Sequence, residues 1–74
     1  MNGKGVTGAD LLNWFTYHPP SEEQIPKYNR LRDAALVFAR VIQLETPPGP
    51  DQTTAIRKVR EAVMTANAAI ACGS

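Results

Sequence analysis

The chain has 74 residues, with eight basic and seven acidic side chains and a formal net charge of +1 at pH 7. This length allows one domain at most, and the balanced charge argues against a protein that neutralises many phosphates of duplex DNA. The sequence has no stretch of about 20 apolar residues, so we expect no membrane-spanning helix.

A chain this short buries too little surface to be stable without further support. The single Cys72 cannot form an intrachain disulfide, and His18 with Cys72 falls short of the three or four ligands of a metal site. We therefore predict a homo-oligomer. The unpaired cysteine also fits the reducing conditions of a cytoplasm.

A short first helix is predicted over residues 8–15. Thr7 and Asp10 have the spacing of a reciprocal cap at its start. The helix is strongly apolar for its length, through Leu11, Leu12, Trp14 and Phe15. Of these residues we expect Phe15 to be part of a core, because phenylalanine is usually buried.

Two longer helices are predicted over residues 26–46 and 51–71. Proline costs about 3 kcal/mol inside a helix and glycine about 1, and both residue types are absent between residues 27 and 46 and between 51 and 72. Pro26 suits a first helical turn, and Asp51 is predicted to be the N-cap of the last helix. The prolines of residues 47–50 form a rigid turn between the two helices.

The helix over residues 26–46 carries two apolar rows, a stripe wider than one partner helix covers. The first row is Tyr28, Leu31, Ala35, Phe38 and Ile42, and the second is Ala34, Val37, Val41 and Leu44. The last helix ends in alanines, which allow close packing. We predict an all-α fold in a single domain over residues 1–74: a short N-terminal helix and an antiparallel helical hairpin, assembled into a homo-oligomer.

No arrangement of residues indicates catalysis. His18 has no serine or cysteine partner in a recognisable arrangement. The sequence also lacks a glycine-rich phosphate loop, zinc-ligand spacing and paired carboxylates on one helical face. We therefore expect neither enzymatic activity, nor a metal, nor a cofactor.

Three helical arginines have no acidic residue three or four positions away: Arg32, Arg40 and Arg60. The cations that do have such a neighbour are expected to form solvated ion pairs; they are Lys27, Arg30, Arg57 and Lys58. Arg32 lies one turn after Tyr28 and near the proline loop, where a guanidinium can bind a phosphate through two hydrogen bonds. On this pattern alone, a solvated Arg32, or one paired with a distant carboxylate, is equally compatible.

Aromatic residues precede Pro19 and Pro20: Trp14, Phe15, Tyr17 and His18. Prolines hold a backbone extended, and flat rings beside such a backbone can stack on purine bases. Tyr17 and His18 lie where the chain leaves the first helix, so we expect them to face a ligand or an interface. A hydrogen-bonded loop histidine is an equal alternative for His18.

Two segments resemble a known phage family. The first is residues 14–20 (WFTYHPP) with Gln24, Tyr28 and Arg32, and the second is residues 61–64 (EAVM) with residues 66–71 (ANAAIA). Both resemble the helical-hairpin domain shared by anti-CBASS and anti-Thoeris sponge proteins, and the resemblance covers residues 11–71.

The resemblance implies a phage-encoded sponge that sequesters cyclic dinucleotides such as cyclic GMP-AMP in the cytoplasm of the infected bacterium. Such a sponge blocks CBASS signalling without cleaving the messenger. The resemblance also implies a homohexamer with ligand pockets between subunits, in which Tyr17 stacks on a base and Arg32 contacts a phosphate. Trp14, His18 and Tyr28 complete the predicted ligand-binding set.

The chain departs from the family pattern at Thr65, where tryptophan is common, and at Cys72, where arginine is common. The second departure argues against an additional pocket for cyclic trinucleotides. Two alternatives stay open. One is a sponge for cyclic ADP-ribose-type messengers, although this sequence shows no β-strand region of the anti-Thoeris kind. The other is a protein-interaction or DNA-binding module that uses Arg57, Lys58 and Arg60.

Overall fold

Three helices make up the part of the protein that the structure describes. A computed structural model describes residues 5–73. In this part of the chain α1 spans Gly8–Trp14, α2 spans Ile25–Glu45, α3 spans Pro50–Cys72, and no strand is present. The predicted all-α class is confirmed. The helix ends differ by at most one residue from the predicted ranges, and residues 1–4 and 74 of the predicted domain lie outside the described part.

The cap predicted for α1 is confirmed. The Asp10 backbone N–H donates to Thr7 Oγ1 at 3.1 Å, and the Thr7 backbone N–H donates to Asp10 Oδ2 at 2.9 Å. Thr16 Oγ1 donates to the Leu12 carbonyl just beyond the end of the helix. Local side-chain hydrogen bonds therefore define both ends of α1.

The hairpin of α2 and α3 is antiparallel, because Lys27 and Ile70 line one groove between the helices and Ile42 and Ala55 line another. The side of α2 that faces α3 comprises its less exposed residues: Tyr28, Leu31, Ala35, Ala39 and Ile42. Phe38 belongs to the same predicted row but is 58% exposed, because it lies at the edge of this side, next to the small Ala62.

The predicted N-cap of α3 is wrong. Gly49 is the N-cap, Pro50 is the first helical residue, and Asp51 lies inside the first turn. Proline has a backbone dihedral already suited to a helix and lacks an N–H that needs a partner, so the helix begins one residue earlier than predicted. The Asp51 carboxylate still lies where it favours the helix dipole.

Gln52 connects the start of α3 to the end of α2. Its Nε2 donates to the Gln43 carbonyl at 3.1 Å and to the Thr46 carbonyl at 3.0 Å. The last carbonyls of a helix have no partner within the helix, and Gln52 satisfies two of them. The rigid turn is thereby attached to both helices.

The protomer has no closed core, and none of residues 5–73 is buried. Its accessible area is 6247 Å², whereas a compact monomer of 8.1 kDa has roughly 4,500 Å². Phe15, predicted to be part of a core, is 84% exposed. The reason is that α1 is short and packs only against the end of α3.

Candidate ligand-binding site

The loop between α1 and α2 is fastened at both ends to the last turn of α3. Asn13 Nδ2 donates to the Cys72 carbonyl at 3.0 Å, and Gln24 Nε2 donates to the Ile70 carbonyl at 3.3 Å. Because carbonyls in the last helical turn lack intrahelical partners, these two amides satisfy the backbone of α3. The ends of the loop are therefore held close to one point of the fold.

His18 fixes the middle of this loop. Its Nε2 lies 2.6 Å from the Asn13 carbonyl, and its ring is half-buried. A carbonyl only accepts hydrogen bonds, so Nε2 must carry the proton. The structure thus shows the hydrogen-bonded loop histidine that the sequence left open, while a ligand contact of His18 stays a prediction.

Tyr17 projects from the fastened loop, and 81% of it is exposed. The preceding helix ends with Trp14, which is 49% exposed. The neighbouring His18, Pro19 and Pro20 restrict the backbone on the other side of Tyr17. An exposed ring on a fixed backbone suits stacking on a base, because little order has to be gained on binding.

Arg32 lies in the second turn of α2 and is exposed. Its Nη2 donates to Asn29 Oδ1 at 2.7 Å. This amide was not predicted as a partner of Arg32, because only acidic neighbours were considered. Because Asn29 is neutral, it orients the guanidinium without compensating its charge. Tyr28, one turn before Arg32, is half-buried on the side that faces α3.

A shallow groove between α2 and α3 has Arg32 and Arg60 among its lining residues, and we call it the Arg32 groove. Its other residues are apolar: Ala35, Leu36, Ala39, Ile56, Val59, Val63 and Met64. Its volume of about 270 Å³ is below the 300–1,000 Å³ that is typical of a ligand pocket. Tyr17 does not line this groove, so the protomer does not place Tyr17 and Arg32 in this cavity together.

A second groove, the Lys27 groove, lies nearer the open end of the hairpin and has a volume of about 460 Å³. Lys27 and Arg30 line it, together with Leu31, Ala34, Ala66, Ala69 and Ile70. This groove was not predicted, because both cations were expected to form local ion pairs. The alanines of the sequence could have indicated the groove, because their small side chains leave space beside the two cations.

The family of the chain follows from residues 8–71, which match the family model described as Acb2/Tad1, hairpin domain. The chain belongs to this family. It comprises the anti-CBASS and anti-Thoeris sponges, which are proteins that bind cyclic nucleotide messengers. No significant match was found among curated proteins or among solved structures.

The Acb2/Tad1 match begins at the first residue of α1 and ends one residue before the end of α3. The fastened loop with Tyr17 is therefore part of the shared hairpin domain. Within residues 5–73, no three metal-ligating side chains cluster, and no helix has the length and apolarity to cross a membrane. The site that these residues offer consists of an exposed aromatic ring and exposed cations.

Proposed function

We propose that the protein is a phage-encoded sponge for cyclic dinucleotides such as cyclic GMP-AMP. It sequesters the messenger intact in the cytoplasm of the infected bacterium and so blocks CBASS signalling. Family membership supports the binding of an immune messenger. The observation that carries the proposal is the pair of Tyr17, exposed on a fastened loop, and Arg32, whose charge Asn29 leaves uncompensated. These offer an aromatic face for a base and a guanidinium for a phosphate.

The pocket is proposed to lie between subunits of a homo-oligomer, which the family resemblance suggests is a hexamer. Two features of the protomer support this assembly. It exposes roughly 1,700 Å² more than a compact monomer of its mass. In addition, its Arg32 groove is small and lacks Tyr17. Tyr17 and Arg32 from different copies can then meet on one messenger, which carries two bases and two phosphates.

A sponge acts by lowering the concentration of free messenger, so affinity and copy number determine its effect. No catalytic group is needed for this role, and we expect no cleavage. Calorimetric titration with cyclic GMP-AMP is expected to give heat at micromolar protein concentration. After denaturation of the protein, mass spectrometry is expected to recover the messenger unaltered. Absence of binding in this titration, or recovery of a cleaved product, would overturn the proposal.

The role of Tyr17 is tested by Tyr17→Ala. Loss of base stacking costs about 1–3 kcal/mol, which weakens binding about 5- to 150-fold. Tyr17→Phe retains the ring and is expected to bind nearly as the wild type does. The matched control is Phe15→Ala, because Phe15 is equally exposed and lies two residues away. If Phe15→Ala and Tyr17→Ala weaken binding equally, the loss of affinity in Tyr17→Ala is not evidence that Tyr17 stacks on a base.

The role of Arg32 is tested by Arg32→Ala, and Arg57→Ala on α3 serves as the control for general loss of positive charge. Hydrogen bonds to charged groups contribute about 1.5–3 kcal/mol, so binding is expected to weaken about 10- to 150-fold. Arg32→Lys keeps the positive charge but cannot form a bidentate hydrogen bond to a phosphate, so this variant should bind with intermediate affinity. If both Tyr17→Ala and Arg32→Ala bind as the wild type does, the site assignment is wrong even when messenger binding stands.

A sponge for cyclic ADP-ribose-type messengers is the second candidate, favoured by the Lys27 groove, which is separate from the Arg32 groove and has its own two cations. Competition between cyclic GMP-AMP and cyclic ADP-ribose separates the candidates. Binding of cyclic ADP-ribose that is lost in Arg30→Ala but retained in Arg32→Ala would support the second candidate.

A further inference from the structure

Tyr17 lies in a stretch of chain that is held in place by the side chains of its neighbours. Within the part of the chain that the structure describes, residues 16–20 make no backbone–backbone hydrogen bond. Instead, the Thr16 hydroxyl and the His18 ring each contact a carbonyl in the last turn of α1. Carbonyls at this end of a helix lack a partner within the helix. The position of the Tyr17 ring therefore depends on the side chains on either side of it.

The His18 hydrogen bond links the Tyr17 segment to the rest of the fold. Nε2 of His18 lies 2.6 Å from the carbonyl oxygen of Asn13 and donates its proton to that oxygen. The Asn13 side chain in turn donates to the Cys72 carbonyl at 3.0 Å. On the other side, Pro19 restricts the His18 backbone to extended conformations. A chain of hydrogen bonds thus runs from the end of α3 through Asn13 to His18, next to Tyr17.

We propose that His18 is a positioning residue for Tyr17. Its hydrogen bond to the Asn13 carbonyl holds the Tyr17 ring ready to stack on a base of the messenger, and His18 itself does not contact the messenger. The proposal rests on the stacking role proposed for Tyr17 above. Because 81% of Tyr17 is exposed, contacts of its own ring do little to hold it. A segment that is ordered before binding avoids the entropy cost of ordering on binding, so the His18 hydrogen bond increases affinity.

Backbone relaxation measured by NMR tests the positioning role on the protein without ligand. The Tyr17 amide is expected to have an order parameter near the value of about 0.85 for a rigid backbone, and His18→Ala is expected to lower it towards about 0.6. His18→Gln is the rescue variant, because glutamine Nε2 lies as many bonds from Cα as histidine Nε2 and also donates. His18→Asn has its donor one bond closer to Cα, so it should behave as His18→Ala does. Unchanged order of Tyr17 in His18→Ala would overturn the proposal.

The matched control is Ser21→Ala, on the far side of the two prolines. The Gln24 backbone N–H donates to Ser21 Oγ at 3.3 Å, so this variant also removes a side-chain hydrogen bond of the loop. Because each of the intervening prolines fixes its own φ, loss of this bond should leave the order of Tyr17 unchanged. Equal loss of order in Ser21→Ala and His18→Ala would contradict the assignment, since any weakening of the loop would then release Tyr17.

A double-mutant cycle on messenger affinity distinguishes positioning from direct contact. His18→Ala alone is expected to weaken binding of cyclic GMP-AMP about 2- to 12-fold, because the loop must then be ordered on binding. In a Tyr17→Ala background the same change is expected to have little effect, because no ring is left to position. Two residues that contact the messenger independently would instead give losses that multiply. Losses that multiply would overturn the proposal and support the ligand contact of His18 that the sequence predicts.

The two measurements separate failure of this proposal from failure of the proposed function. If cyclic GMP-AMP does not bind, the function is wrong for this messenger, and the order of Tyr17 in the free protein still decides whether His18 positions it. If Tyr17→Ala binds the messenger as the wild type does, the stacking role is wrong and this proposal fails with it. Circular dichroism at the titration temperature checks that each variant is folded. If His18→Ala does not fold, His18→Asn, which keeps a polar side chain, takes its place in both measurements.

Discussion

Replacing Asn13 by aspartate reverses the polarity of the contact that fastens α1 to α3. Asn13 Nδ2 donates to the Cys72 carbonyl at 3.0 Å, and the introduced carboxylate would place an acceptor against an acceptor. Loss of a hydrogen bond costs about 1 kcal/mol. A negative charge beside the C-terminus of a helix adds about 0.3–1 kcal/mol. We therefore expect a loss of about 1.3–2 kcal/mol, or roughly 5–16 °C in melting temperature for a domain of this size.

The matched control Asn13→Ala removes the donor without adding charge, so it should lose only the contribution of the hydrogen bond, about 1 kcal/mol. The two variants should also differ in pH dependence. The helix terminus disfavours the charged form of the introduced carboxylate, so its folded-state pKa rises above the unfolded value of about 3.9. The folded state then binds more protons than the unfolded state, and the penalty fades as the pH falls through the raised pKa.

Circular dichroism melts at pH 7 and pH 4 measure this difference. All variants must be compared at one protein concentration, because association makes the melting temperature concentration-dependent. Equal melting temperatures of Asn13→Asp and Asn13→Ala at pH 7 would show that the Cys72 carbonyl is not the partner of Asn13 and would refute the reasoning.

Three further predictions concern the helix ends. Gly73 ends α3 with φ at 70°, so Gly73→Ala is expected to lower the free energy of unfolding by about 1 kcal/mol and with it the melting temperature. Gly8→Ala is the control, because φ is ordinary and space is open at Gly8, and it should not lower the melting temperature. Thr7→Ala removes the cap of α1, which costs about 1 kcal/mol and should speed hydrogen exchange in α1 relative to α3; unchanged exchange would contradict the capping role. Gln52→Ala leaves two carbonyls at the end of α2 without a protein donor and should lower the melting temperature, with Thr53→Ala as the neutral neighbour.

The helices could be predicted from the sequence because their determinants are local. The exclusion of proline and glycine marked α2 and α3, and the spacing of Thr7 and Asp10 marked the start of α1. The N-cap of α3 was predicted wrongly because Pro50 and Asp51 are adjacent and both suit a helix start. Asn29 was missed as a partner of Arg32, although it is local, because only acids were considered.

The residues of the candidate site were predicted, but their contacts and surroundings were not. Resemblance to the sponge family indicated Tyr17 and Arg32, and their exposed positions are compatible with the predicted roles. The sequence could not show that His18 bonds to the Asn13 carbonyl, or that Phe15 is exposed rather than part of a core. Both depend on where the short α1 rests.

What the sequence determined by itself was the helical class, the helix ends to within a residue, and the surplus of apolar surface that calls for association. The tertiary structure decided which row of α2 faces α3 and which is left uncovered. It also decided that Asn13 and Gln24 fasten the loop to carbonyls 59 and 46 residues away. Helix ends depend on hydrogen bonds between residues three or four positions apart, which a sequence displays. Contacts across the hairpin depend on how α3 returns along α2, which no local pattern contains.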